Sequence, residues 1–123
     1  MKIIFATNKI IEIQSETLQG VDFNDYDLHR VIFEELDLNG SLFINANLRG
    51  SFLTKANFTS ANLISADLRE ANLTSAGLKN SKASSALFEK ANLQNENLEG
   101  ANINGASFLK CKIAGSKYEV PGY

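Results

Sequence analysis

The sequence predicts an all-β solenoid, a single chain wound in short extended segments around one dry axis. Three observations predict it. A large apolar residue recurs at every fifth position, a small residue stands two places before it through most of the chain, and no insertion breaks the register from residue 16 to residue 120.

The repeat begins at Leu18. Steps of five then reach Phe23, Leu28, Phe33, Leu38, Phe43, Leu48, Leu53, Phe58, Leu63, Leu68, Leu73, Leu78, Ala83, Phe88, Leu93, Leu98, Ile103, Phe108, Ile113 and Tyr118, twenty-one pentads in which only Ala83 is small. On an α-helix a step of five turns by about 500°, so each apolar residue would move about 140° around the axis and no stripe would form. On a straight strand an odd step sends successive apolar residues to opposite faces. Both regular structures are excluded. The pattern closes only if the chain turns after each short segment, so that every fifth side chain meets the others on a common axis.

The position two residues earlier supports this. It is alanine at 46, 56, 61, 66, 71, 76, 86, 91, 101 and 106, serine at 41, 51, 81 and 116, and cysteine at 111. A narrow interior that holds one Leu or Phe per segment has space for only one small residue beside it.

The units "ANLRG", "ANFTS", "ANLIS", "ADLRE", "ANLTS", "ANLQN" and "ANING" carry a resemblance to the pentapeptide-repeat family. The resemblance implies a right-handed quadrilateral β-helix with four pentads per coil, hence about five coils. Twenty residues per coil agrees with the recurrence of Ile44 at Ile64 and of Arg49 at Arg69. Four interior columns follow: Leu18, Leu38, Phe58, Leu78, Leu98 and Tyr118; Phe23, Phe43, Leu63, Ala83 and Ile103; Leu28, Leu48, Leu68, Phe88 and Phe108; Phe33, Leu53, Leu73, Leu93 and Ile113. Burying each large side chain contributes roughly 1.5–3 kcal/mol and is the main force expected to hold the rod together.

The ends follow from the open edges of such a coil. Residues 1–15 read as an N-terminal cap, because "IIFATNKIIEI" sets two β-prone runs around Thr7, Asn8 and Lys9. The first coil carries Val21, Tyr26, Val31 and Leu36 where later coils have small residues, which predicts a flared entrance filled by that cap. Residues 16–120 form the repeat and 121–123 a tail. Tyr118 is expected over the last coil and Pro121 to discourage edge pairing there, leaving a weakly capped end through which two copies could dimerise.

Composition narrows the function classes. Twelve basic and fourteen acidic residues give a net charge of −2, too balanced to advertise direct nucleic-acid binding. The lone Cys111 permits no internal disulfide. The N-terminal apolar run is too short for a signal peptide, and no run approaches the roughly 20 residues of a membrane helix, so the expected setting is cytoplasmic, away from the membrane. No catalytic motif, metal spacing or phosphate loop occurs, so neither enzyme nor cofactor is expected.

Two positions depart from the pattern. Glu96 stands where the repeat wants alanine, and the expectation is a local bulge that turns it outward or a hydrogen-bonded carboxylate, with a functional acid as the alternative. Ala83 leaves room that neighbours are expected to fill, with a ligand-sized cavity as the alternative. Outward, the Asn and Asp residues just before each apolar residue are read as corner hydrogen-bonders. The face with His29, Arg49, Arg69, Glu70, Glu89 and Lys90 is read as a solvated surface of mixed sign. Leu42, Ile44 and Ile64 on one face, with Ile32 and Phe52 on another, form a candidate partner patch. The leading expectation is therefore an interaction or scaffold module for an unidentified protein. The resemblance adds an alternative, since some members mimic DNA and bind a type II topoisomerase (gyrase). This chain departs from them in its length, its small net charge and its lack of loop insertions. The family is also abundant in cyanobacteria, where some members act in regulation.

Overall fold

The computed structural model describes residues 1–117. Two strands, β1 (Lys2–Ile4) and β2 (Ile10–Glu12), form an antiparallel hairpin with Ile3 opposite Ile11 and Ile4 opposite Ile10. Beyond the hairpin the chain is a right-handed quadrilateral β-helix. Its layers are joined by parallel bridges between residues twenty apart, as in the column Asp22, Leu42, Asn62, Lys82 and Asn102.

The pentad Ala56–Ser60 shows why five residues make one side. Ala56 N–H donates to Leu53 O (3.0 Å) and closes the preceding corner. Asn57 N–H donates to Leu36 O in the layer below (2.9 Å), while Phe58 and Ser60 donate to Gly77 O (2.7 Å) and Lys79 O (3.0 Å) in the layer above. The fifth donor, Thr59 N–H, goes to Asn57 Oδ1 at 3.0 Å. Every backbone N–H of the unit is satisfied, as close packing away from water requires. Each corner has the pattern of a type II turn, whose third residue takes positive φ. Lys55 (φ 58°) and Ser60 (φ 59°) adopt it without being glycine.

The axis is dry. Phe23, Leu28, Phe33, Leu38, Phe43, Leu48, Leu53, Phe58, Leu63, Leu68, Leu73, Leu78, Phe88 and Leu93 are wholly buried, and Leu98 and Phe108 nearly so. Aromatic rings stack along the columns, Phe23 on Phe43 at 5.3 Å and Phe88 on Phe108 at 4.9 Å between centroids. Ile103 and Ile113 differ from the interior expectation: at the end of the stack away from the cap they pack on the core but keep part of their surface exposed, whereas Leu98 and Phe108 of the same layer stay buried. Ala83 is wholly buried.

The cap closes the other end. Phe5 bridges antiparallel to Val31, Ala6 N–H donates to Arg30 O (3.0 Å), and Ile32 N–H to Ile4 O (2.9 Å), so β1 is one more rung on the side that carries Phe33. Ile3, Phe5 and Val31 are buried together. Tyr26 corrects the picture of a uniformly flared entrance. It stays 44% exposed and sets its ring edge-on to Phe23 at 5.5 Å, outside the interior. Tyr118 and Pro121, on which the expectation of a weak C-terminal cap rested, lie outside the described residues.

Glu96 corrects a second expectation. Its side chain is wholly buried, and among the described residues neither carboxylate oxygen has a hydrogen-bond partner. The backbone yields instead. The turn bonds that Ala91 makes to Phe88 (2.9 Å) and Ala101 to Leu98 (3.0 Å) have no counterpart at Glu96 among the described residues, and Asn97 N–H reaches Ala76 O only at 3.4 Å. The unit opens locally without expelling the acid, and burial pushes the carboxyl up to about 8.

Candidate interaction surface

The outward positions are built on the corner that Asn57 illustrates. The residue before the buried one turns its side-chain oxygen onto the N–H two residues later. Asn72 does so to Thr74 (3.0 Å), Asn62 to Ile64 (3.1 Å), Asn92 to Gln94 (3.0 Å) and Asn97 to Glu99 (2.9 Å). Asp22 does the same for Asn24 (2.8 Å) and Asp37 for Asn39 (3.0 Å), so carboxylate and amide serve the corner alike. An apolar residue at this position gives up that bond, worth about 1 kcal/mol.

The five residues of the expected partner patch divide accordingly. Leu42, Ile44 and Ile64 are half-buried on the side of Phe43. There the loss at Leu42 is made good, since Asn24 Oδ1 from the layer below accepts Ile44 N–H at 2.7 Å. Ile32 and Phe52 lie on the side of Phe33 and Leu53 and are bridged to each other in successive layers. No side chain among the described residues accepts from the Glu34 or Thr54 N–H beside them. Arg30 lies over the Phe52 ring at 5.8 Å, a cation–π contact that covers part of it.

The register of the cap extends this row, which the sequence reading missed. With Phe5 opposite Val31, Ile4 falls opposite Ile32, and Ile10 is opposite Ile4. Ile10 is 59% exposed, Ile4 52% and Ile32 36%. Ile10, Ile4, Ile32 and Phe52 therefore make one apolar stripe across four rungs, succeeded above by Asn72 and Asn92. The alternation in "KIIFA" held the signal, but only the hairpin's pairing aligns it with Ile32.

Charge is also uneven along the rod. Residues 1–40 hold eight carboxylates against Lys2, Lys9 and Arg30, and residues 41–123 hold nine cations against six carboxylates. The small net charge thus hides an acidic cap end.

The mixed-sign face forms a shallow cleft of about 130 Å³ lined by Arg49, Arg69, Glu70, Glu89 and Lys90. Both of its arginines are already paired, Arg49 to Glu70 at 2.6 Å and Arg69 to Asp67 at 2.7 Å. Burial acts to raise the Asp67 carboxyl, but the Arg69 guanidinium bonded to it holds it below the usual range. His29 is exposed at the edge of this face. Cys111 donates its thiol to Phe88 O, and burial pushes that thiol up to about 11. Among the described residues no cluster of histidine, cysteine or carboxylate side chains is placed to hold a metal ion, and no helix is long and apolar enough to cross a membrane.

The profile described as pentapeptide repeats matches the chain in 8 copies over residues 37–74 and 84–117. HetL, a pentapeptide repeat protein involved in heterocyst differentiation regulation in the cyanobacterium Nostoc sp. strain PCC 7120, is 27% identical with a TM-score of 0.55, over 81% of this chain and 52% of HetL. The chain thus spans about half the length of that protein. AT2G44920, a pentapeptide repeat protein from the Arabidopsis thaliana thylakoid lumen, is 33% identical over 87% of this chain and 68% of its own, with a TM-score of 0.44. QnrB1, a plasmid-mediated fluoroquinolone resistance protein, is 19% identical over 79% of this chain and 60% of its own, with a TM-score of 0.38. No curated protein matches the chain.

Proposed function

The chain belongs to the pentapeptide-repeat family, and from that premise we propose that it is a non-enzymatic interaction module, a rigid rod that docks a protein partner on the side carrying Ile10, Ile4, Ile32 and Phe52. One observation carries this reading. In two successive layers this side replaces the corner-bonding Asn or Asp with a large apolar residue, giving up backbone hydrogen bonds while exposing hydrocarbon. Beyond the Arg30 contact on Phe52, the hydrocarbon left exposed gives the fold little in return.

Capture from a lysate of the native host tests it. A protein bound by the wild-type chain should be lost to the Ile32→Lys, Phe52→Lys double variant and retained by Ile44→Lys, Ile64→Lys. Equal capture by the first double variant removes the stripe from the role, and loss with the second alone moves the site to the Leu42 side. The reading as a DNA-mimicking binder of gyrase has less support, because the carboxylates gather at one end instead of running along the rod. An unchanged supercoiling rate at micromolar protein would retire it.

A further inference from the structure

We propose that β2 is an open template at the cap end of the rod, and that an extended segment of another protein, alternating apolar and basic residues, adds to it as one more strand. The proposal rests on the docking reading above and names the partner's chemistry.

The hydrogen-bond parity of the hairpin leaves this edge free. Ile13 N–H donates to Met1 O (2.9 Å) and Phe5 N–H to Lys9 O (3.0 Å), so these pairs are bonded. Bonded and unbonded pairs alternate in an antiparallel ladder, which makes Ile3 and Ile11 a bonded pair and turns the backbone groups of Ile4, Ile10 and Glu12 away from the hairpin. Ile4 spends its carbonyl on Ile32, whereas Ile10 and Glu12 have no further strand beside them among the described residues. An unpaired edge of this kind takes up an extended peptide through main-chain bonds, with alternate side chains supplying specificity.

The surroundings choose the occupant. Ile10 and Ile4 continue the apolar stripe beneath the added strand's apolar side chains. Beside Glu12 an open cleft of about 280 Å³ is lined by Met1, Glu12, Ile13, Gln14, Ser15 and Glu16; its two carboxylates outnumber the Met1 ammonium, which is held by Ile13 O at 3.0 Å, and suit a Lys or Arg. Lys2, directly opposite Glu12, with Lys9, Arg30 and the Met1 ammonium, are the cations nearby, outnumbered by the eight carboxylates of residues 1–40. A second copy meeting end to end would set the same excess of negative charge against itself.

The test uses the full chain with a peptide alternating Val and Lys, and as control a peptide alternating Val and Glu. The Val/Lys peptide should bind saturably, more weakly at high salt, and slow amide exchange at Ile10 and Glu12. Glu12→Pro deletes an outward N–H without touching a hairpin bond and should weaken binding about ten-fold, whereas Glu12→Gln should stay within about three-fold. Methylating the alternate peptide nitrogens that face β2 on the Val/Lys peptide, with the protein unaltered, should weaken binding at least as much as Glu12→Pro does.

No binding, equal binding of the acidic peptide, or binding without slowed exchange overturns the proposal. So does a dimer of the free protein that Glu12→Pro dissolves, since the edge would then be occupied by its own copy. If Glu12→Pro and methylation are silent while Ile32→Lys, Phe52→Lys abolishes binding, strand addition falls and the docking side stands. If all are silent, both fall.

Discussion

Replacing Glu96 by alanine should stabilise this protein, and by a pH-dependent amount. The carboxyl is wholly buried, with neither oxygen partnered among the described residues, and burial raises it from 4.5 to about 8. The folded chain therefore holds a proton there that the unfolded chain releases, so stability from this group is greatest below pH 4.5. It falls as pH rises from 4.5 to about 8 and is level beyond, the reverse of a salt-bridged acid. Each pH unit within that window removes about 1.4 kcal/mol. At pH 7 the loss is about 3 kcal/mol, on the order of 10 °C in melting temperature for a chain of this size. Alanine fits the column, which has Ala76 one layer below, and should also restore the corner bond missing at residue 96. Urea titrations at pH 5 and pH 8 measure the effect. Wild type should lose several kcal/mol between them that Glu96→Ala does not lose. Glu96→Gln should remove the pH slope yet remain less stable than alanine, because its amide is left unpartnered in the same place. A wild-type slope no steeper than that of Glu96→Ala, or an alanine variant less stable than wild type at pH 8, would refute the assignment of a buried, unpaired acid.

Leu63→Ala, at a wholly buried position, should cost about 2–5 kcal/mol in urea unfolding; a loss below about 1 kcal/mol would mean that the site is not packed as described. Asn72→Ala removes the acceptor of both Thr74 N–H and Thr74 Oγ1 and should cost about 1–2 kcal/mol by the same measurement, whereas no change would deny side-chain bonding its part in the corner. Cys111, with its thiol raised to about 11 by burial, should resist iodoacetamide at pH 8 and react once urea unfolds the chain. Mass spectrometry of native and unfolded samples distinguishes the two, and prompt labelling of the native chain would contradict the burial.

The interior was legible because one constraint controls it: a step of five admits an apolar side chain only where the chain turns back on a shared axis. Phe58, Leu63 and Leu68 could be placed from spacing alone, and Asn57 or Asn72 from the corner's need of an acceptor. Glu96 was visible as a misfit, but whether the side chain or the backbone would give way depends on the energy of one turn bond against extrusion of a carboxylate. The stripe escaped because Ile4 and Ile10 lie outside the repeat. Their place beside Ile32 is decided by hairpin parity, and the turn setting it passes through Asn8 at φ 68°. The acidic end escaped because opposite charges in later coils cancel it in the total.

This β-helix supplies four of its five N–H acceptors per pentad from its own backbone and leaves the fifth to a side chain, as Ala56–Ser60 shows. The position before each buried residue is therefore the outward site with the most to lose from substitution, and departures there read as a map of competing demands. Asp for Asn keeps the bond and adds charge, as at Asp22, Asp27 and Asp37 near the cap. Thr17 keeps it with a hydroxyl, accepting Gln19 N–H at 3.2 Å. Leu42 forfeits its own acceptor, but Asn24 replaces it, and Leu87 stands alone between Asp67 and Ser107. Only Ile32 and Phe52 set large apolar groups at this position in successive layers of one column, directly above the exposed Ile4 and Ile10. Restoring asparagine at both would return the corner bonds and remove the stripe together. If the stripe served only folding, that exchange would leave a less stable chain with its binding intact; a docking side requires binding to fall while the fold persists.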